Sequence, residues 1–290
     1  MNGTGVPLVT PFTVDGDLDE PALREAATWV VDNGVDFVVP CGSNGESALM
    51  TAEERDRATA IVADAVSVPV LAGTGHAGLR ATIDQTARAA EVGADGALVV
   101  TPYYFTHDQE AFAAYYRELA DATELPIYLY SVPAKTGVHL EPETVGDLAD
   151  HPNIAGMKDS AGDLIRFQRE RRAAQDEFSL FVGSGGMYAP ALDAGADGGV
   201  LALANVVPEL CAEIARLHRE GEGAAARALN ADLVELNRAI TAQYGVPAVK
   251  AAMRHRGVPA GEPRAPHRRL DEDTREVVID QLEVALSGDH

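Results

Sequence analysis

The chain has 290 residues, 46% of them hydrophobic, and a formal charge of −22 at pH 7. That acidity excludes nucleic acid and anionic membrane surfaces as partners, because both would repel it. No apolar stretch reaches the about 18 residues of a membrane span, no signal-like segment opens the chain, and Cys41 and Cys211 form neither a C-x-x-C pair nor a disulfide framework, so a soluble cytoplasmic protein is expected.

In chain order, the apolar run at 6–10 predicts the first strand. Asp19 as cap and Pro21 in the first turn open a helix that Gly34 stops. A second strand at 35–40 leads into 41–46, Cys-Gly-Ser-Asn-Gly-Glu. Thr51 and Glu54 form a capping box for a helix to Val66. Strands follow at 70–73, 97–100, 127–130, 154–158, 179–183 and 200–203, separated by helices at 81–92, 108–123, 142–150, 164–174 and 187–194, with a last helix at 208–220. Three similar triplets stand between helix and strand: Gly34-Val35-Asp36, Gly93-Ala94-Asp95 and Gly195-Ala196-Asp197. The glycine serves as a helix C-cap and the acid turns the chain back toward the sheet.

Strict strand–helix alternation predicts an α/β protein, a closed (β/α)8 TIM barrel over residues 1–222. A doubly wound open sheet is the alternative, weakened because no G-x-G-x-x-G follows the first strand. Residues 223–290 read as helix only, at 224–244, 246–256 and 271–286, around an irregular loop at 257–269. They predict a C-terminal helical extension packed on the barrel.

In a barrel the chemistry gathers at the C-terminal strand ends. There stand Gly42, Ser43 and Asn44 after strand two, Tyr103 and Tyr104 after strand four, Tyr130 closing strand five, Lys158 closing strand six, and Gly183 opening a Gly-Ser-Gly-Gly run after strand seven. The chain has only three lysines, Lys135, Lys158 and Lys250, against twenty arginines. An amine among apolar neighbours is easier to deprotonate and attacks carbonyls to form a Schiff base. The plainer alternative for Lys158 is an ion pair with Asp159 or Asp163, and the motif alone leaves the two even. A tyrosine hydroxyl can shuttle protons, and Ser43 with loop N–H groups can hold a carboxylate. Equally, either tyrosine of the 103–104 pair could be packing, and 42–45 a turn without ligand. The histidines, His76 and His107 included, lack metal-ligand spacing, so no metal is expected. Few lysines and many dispersed acids predict a protein that works in high salt.

Four motifs, 42–46 (Gly-Ser-Asn-Gly-Glu), 100–104 (Val-Thr-Pro-Tyr-Tyr), 129–137 (Leu-Tyr-Ser-Val-Pro-Ala-Lys-Thr-Gly) and 156–159 (Gly-Met-Lys-Asp), agree in order and spacing with one family. From Val6 to about Leu270 the chain resembles the dihydrodipicolinate synthase/N-acetylneuraminate lyase family of pyruvate-dependent class I aldolases. The resemblance implies a (β/α)8 barrel, a pyruvate Schiff base on Lys158 without any cofactor, and Tyr130 as the proton relay. It also implies carboxylate binding by Ser43 and Asn44, and a homotetramer in which Tyr104 reaches a neighbouring subunit's site. Residues expected to act chemically are therefore Lys158, Tyr130, Ser43 and Tyr104. Those expected to contact the small-molecule 2-oxo acid are Gly42, Asn44, Lys135, Gly183 and, on strand eight, Leu201.

Where the synthase branch usually carries two threonines this chain has Ser43 and Asn44, and where it carries an arginine this chain has Lys135. Together with 130–134 (Tyr-Ser-Val-Pro-Ala), 151–154 (His-Pro-Asn-Ile) and 202–205 (Ala-Leu-Ala-Asn), these look more like 4-hydroxy-2-oxoglutarate aldolase, with 2-keto-3-deoxygluconate aldolases close behind. The expected activity is retro-aldol release of pyruvate from a 4-hydroxy-2-oxo acid. Condensation of pyruvate with aspartate semialdehyde, as in dihydrodipicolinate synthase, is the alternative. A catalytically silent barrel serving as a binding or regulatory module is the alternative of another class.

Overall fold

A computed structural model describes residues 1–288. Eight parallel strands stand in the order β2-β1-β8-β7-β6-β5-β4-β3. They are β1 (Gly3–Val6), β2 (Phe37–Val38), β3 (Leu71–Gly73), β4 (Gly96–Val100), β5 (Ile127–Ser131), β6 (Ile154–Asp159), β7 (Ser179–Val182) and β8 (Gly198–Val200). A parallel bridge between Val38 and Val70 joins the two edges, and the sheet becomes a barrel. Around it run α1 (Glu20–Asp32), α2 (Ala52–Ala65), α3 (Leu79–Glu91), α4 (Gln109–Asp121), α5 (Pro133–Thr136), α6 (Pro142–Ala149), α7 (Leu164–Ala173), α8 (Tyr188–Asp193) and α9 (Pro208–Arg219). No helix among the described residues is long and apolar enough to cross a membrane.

The core has two layers, as a barrel requires. Inward side chains, among them Phe37, Leu71, Leu98, Tyr128 and Phe181, fill the interior, with the Phe37 and Phe181 rings 5.2 Å apart. Alternate residues such as Val38, Val99, Leu129 and Met157 face the helices. The capping box at Thr51 and Glu54 forms as expected.

The three repeated triplets share one geometry. Gly34, Gly93 and Gly195 have φ of 93°, 97° and 95°, open to glycine at little cost. Each following aspartate exchanges two hydrogen bonds with one residue at the start of the preceding strand. Asp36, Asp95 and Asp197 donate their N–H to the carbonyls of Thr4, Val70 and Leu180, and their carboxylates accept the N–H of those same residues at 2.7–2.8 Å. The triplet thus sets the register between successive strands.

Two strands differ from expectation. β1 ends at Val6 because Pro7 has no N–H to give the ladder. The buried Asn205 side chain takes over there, accepting from Val9 N–H and donating to the Pro7 carbonyl. β8 begins at Gly198, earlier than the apolar run, and residues 202–205 form a 3-10 turn instead. The helix expected at 224–244 is broken into α10 (Gly223–Asp232), α11 (Val234–Arg238) and a π-helical turn at Ala239–Gln243. α12 (Val246–His255) and α13 (Glu272–Ser287) complete the chain.

Candidate active site at the barrel mouth

β5 and β6 pair in register with Tyr130 opposite Lys158, and both side chains point into the barrel. Lys158 is 5% exposed, and its Nζ lies 4.5 Å from the centroid of the Tyr130 ring. Neither acid offered as its alternative partner reaches it. Asp159 accepts the Ala161 N–H, and Asp163 caps α7 by accepting from Ile165 and Arg166. A β-carbon on Gly183 would lie 1.8 Å from Ser160 Oγ and 2.9 Å from Lys158 Cε. Gly183 therefore makes room for the lysine and its neighbour.

Tyr130 sits between opposing influences. Burial pushes its hydroxyl up, but the Lys158 ammonium, hydrogen bonds with Ser43 and Ser160, and the Lys135 charge outweigh it and leave the phenol below its usual value. A phenol so placed beside an amine can release and recover a proton.

A cavity of about 350 Å³ opens at the barrel mouth, with Ser43, Arg55, Tyr103 and Lys135 in its wall. A smaller pocket shares Ser43 and Arg55 with it and runs down past Gly42 to Tyr130. Of the residues expected from the sequence, Gly42, Ser43 and Tyr130 thus line the smaller pocket and Ser43 and Lys135 the larger cavity, while Lys158 lines neither and lies behind the Tyr130 ring. Lys135 is carried by α5, a turn of helix where a loop was expected.

The others lie elsewhere. Asn44 is half-buried but lines neither pocket. The Leu201 side chain is wholly inside the outer core, so it packs and does not face the cavity. Tyr104 is 89% exposed on left-handed backbone, φ 80°, edge-on to Phe105. Tyr103, and not Tyr104, faces the cavity of its own chain.

Sequence inspection passed over Arg55, Ser160 and Glu170, weighed His76 only as a metal ligand and took Glu46 only as part of a motif. Arg55 is buried on the inner face of α2 among Ala58, Thr59 and Val62; a cation on an apolar helical stripe was the available signal. Its Nη2 donates to the Gly73 carbonyl at 2.7 Å, and its Nη1 donates to His76 Nε2 at 2.6 Å. Arginine offers no acceptor, so this His76 nitrogen accepts. Burial, and then the Arg55 charge, hold the imidazole below its ordinary value and hence neutral. Glu170 on α7 is fully buried behind β6, and burial pushes its carboxyl up to about 9. It is a neutral acid on the outer side of the strand that carries Lys158.

A model of the dihydrodipicolinate synthetase family matches residues 1–285. A DapA-like lyase of Halobacterium salinarum is 41% identical over 277 residues, covering 95% of this chain and 91% of that protein. The 4-hydroxy-tetrahydrodipicolinate synthase of Syntrophus aciditrophicus is 39% identical, covering 95% of each. Among solved structures, YagE, a prophage protein of the dihydrodipicolinic acid synthase family from E. coli K12 in complex with pyruvate, superposes with a TM-score of 0.93 at 30% identity, covering 98% of this chain and 99% of that one.

Proposed function

Because this chain belongs to the dihydrodipicolinate synthetase family, we propose that its barrel mouth cleaves a 4-hydroxy-2-oxo acid, of 4-hydroxy-2-oxoglutarate or 2-keto-3-deoxygluconate type, to pyruvate and an aldehyde. Membership makes it a pyruvate-dependent class I aldolase, a lyase that forms a Schiff base on a lysine and needs no cofactor. The observation that carries the assignment to Lys158 is its buried amine at a strand end, against the ring of Tyr130, which itself lines a pocket.

The Lys158 amine attacks the C2 carbonyl of the substrate, and water leaves as the imine forms. Tyr130 supplies and recovers the protons of those steps, with Ser43 and Ser160 among the groups that hold its phenol below the usual value. A base then takes the proton of the C4 hydroxyl, the C3–C4 bond breaks, and its electron pair flows into the iminium. The aldehyde departs and an enamine remains. Protonation at C3 and addition of water to the imine return pyruvate and the free amine. Ser43 is placed to hold the carboxylate next to the reacting carbon, and Lys135 to meet the distal part of the substrate. The exposed Tyr104 is assigned to contact with a second copy of the chain.

The retro-aldol direction is supported by Ser43 and Lys135, which line the cavity. A lysine offers a point charge where an arginine grips a carboxylate with a planar fork. The names of the synthase relatives favour the second possibility, condensation with aspartate semialdehyde. A pyruvate-release screen over 4-hydroxy-2-oxo acids, with that condensation as control, separates the two. Release from one such acid with poor condensation is expected. Efficient condensation would assign the synthase activity instead, and no turnover of any 2-oxo acid would leave a binding module.

A further inference from the structure

Loop 41–46 carries two residues in left-handed conformation, Cys41 (φ 57°) and Glu46 (φ 56°), neither of them glycine. Such backbone persists only where its surroundings over-determine it. Cys41 is held by α2, its thiol meeting the Arg55 carbonyl, and Glu46 by the C-terminal part of the chain. Glu46 and Lys250 are both 0% exposed on their side chains and form an ion pair at 2.5 Å. The other Glu46 oxygen accepts the Arg264 backbone N–H at 2.9 Å and faces His267 Nδ1 at 3.1 Å. Lys250 also donates to the Thr10 and Glu262 carbonyls at 2.7 Å. Thr10 in turn donates its hydroxyl to the Gly45 carbonyl at 2.7 Å. One buried amine therefore ties together the loop after β2, the loop after β1 and the segment between α12 and α13.

We propose that the Glu46–Lys250 pair is a positioning device for the reaction: it fixes loop 41–46 against the C-terminal helices so that the Ser43 hydroxyl meets Tyr130. This rests on Tyr130 acting as the proton relay. Stability alone is a poor reason for such a pair, since well-packed apolar residues often replace buried ion pairs without loss. What apolar residues cannot do is bond to three carbonyl or carboxylate oxygens from three segments at once. The connection to chemistry is short. Ser43 lies three residues before Glu46, the Glu46 N–H donates to the Ser43 carbonyl at 3.2 Å, and Ser43 and Tyr130 line the same pocket. The Ser43 hydroxyl is one of the groups that hold the phenol below its usual value. If the loop loosens, Ser43 moves off the phenol, and Tyr130 holds its proton to higher pH.

The test is the double substitution E46Q/K250M, which leaves no buried charge unpaired and keeps an acceptor for Arg264. Tyr130 is titrated by ultraviolet difference spectroscopy as the parent protein minus its Y130F counterpart, so the readout needs no substrate. The expected result is a Tyr130 titration moved upward by about half a unit or more. A roughly tenfold or greater fall in kcat accompanies it, with pyruvate still captured at Lys158. In an S43A background the double substitution should add no further shift, because the effect runs through Ser43. Should the double variant not fold, E46D, which keeps the charge but shortens its reach, carries the same measurement. An unmoved titration in the folded variant, with only a lower melting point, would overturn the proposal and make the pair a packing feature. Failure of the wild type to capture pyruvate would instead remove the functional assignment, while the titration would still decide the role of the pair.

Discussion

Lys158 and Lys250 begin alike and end differently. Both amines are buried, and both stand over an aromatic ring, Tyr130 at 4.5 Å and Phe12 at 4.7 Å. The Lys250 ring is apolar and its amine is enclosed, donating to two carbonyls and standing in ion-pair contact with the Glu46 carboxylate. Burial pulls Lys250 down to about 8 even so, which leaves it a cation at neutral pH. Lys158 has no such cage: its neighbour is a phenol, and the space beyond that phenol opens to a cavity. Burial alone therefore does not mark a reactive amine; what separates the two lysines is what surrounds them, a carboxylate and two carbonyls around Lys250 and a phenol beside Lys158. One setting suits a tether and the other the nucleophile proposed above.

The contrast is sharpest under substitution. Lys158→Ala should lose catalysis by several orders of magnitude with the fold retained, since neither other lysine is placed to replace it; circular dichroism beside a turnover assay checks both halves. Tyr130→Phe should lower kcat by roughly 10²–10⁴ and leave the melting point nearly unchanged, because one oxygen is removed. A near-normal rate would make Tyr130 a packing residue like Phe12. Lys250→Met should instead cost about 3–5 kcal/mol of stability, because it strands the Glu46 charge, and E46Q/K250M should recover most of that loss in denaturant titrations. Equal costs for the single and double changes would mean that Glu46 is not held by charge.

Lys135, the exposed third lysine, tests the same idea from the rim. Lys135→Ala should raise KM for the 2-oxo acid roughly tenfold, about what one charge-assisted hydrogen bond is worth, and leave pyruvate capture unaffected. An unchanged KM would assign it to the surface. Smallest of all should be the effect of salt. With −22 charges on the chain, the melting point should rise from low to molar salt as repulsion is screened, and indifference would detach the acidity from habitat.

The place of Lys158 at the end of a buried strand was legible in a short apolar run that stops at lysine and turn residues, although the motif alone left its role even, and the strand–helix alternation named the barrel. The glycine-rich strands β1 and β8 were displaced from where the sequence placed them, for a physical reason. A β-carbon on Gly198 would meet the Gly3 carbonyl oxygen at 1.9 Å, and one on Gly5 the Phe37 ring at 2.3 Å. Those strands are glycine because backbone and ring approach closely, a demand from across the barrel that strand propensity does not record. The link from Glu46 to Lys250 was hidden similarly. The partners are far apart in sequence, and nothing beside Lys250 in the chain marks an acid that would pair with it. Leu201 misled in the opposite sense, since its place on the last strand said nothing of which way its side chain turned.

Borohydride reduction in the presence of pyruvate, followed by mass spectrometry of the digested chain, tests the assignment of Lys158 most directly. One pyruvate-derived group is expected on the peptide carrying Lys158, absent in Lys158→Ala and absent from the peptides carrying Lys135 and Lys250. Label on either of those two, or none on Lys158, would contradict it.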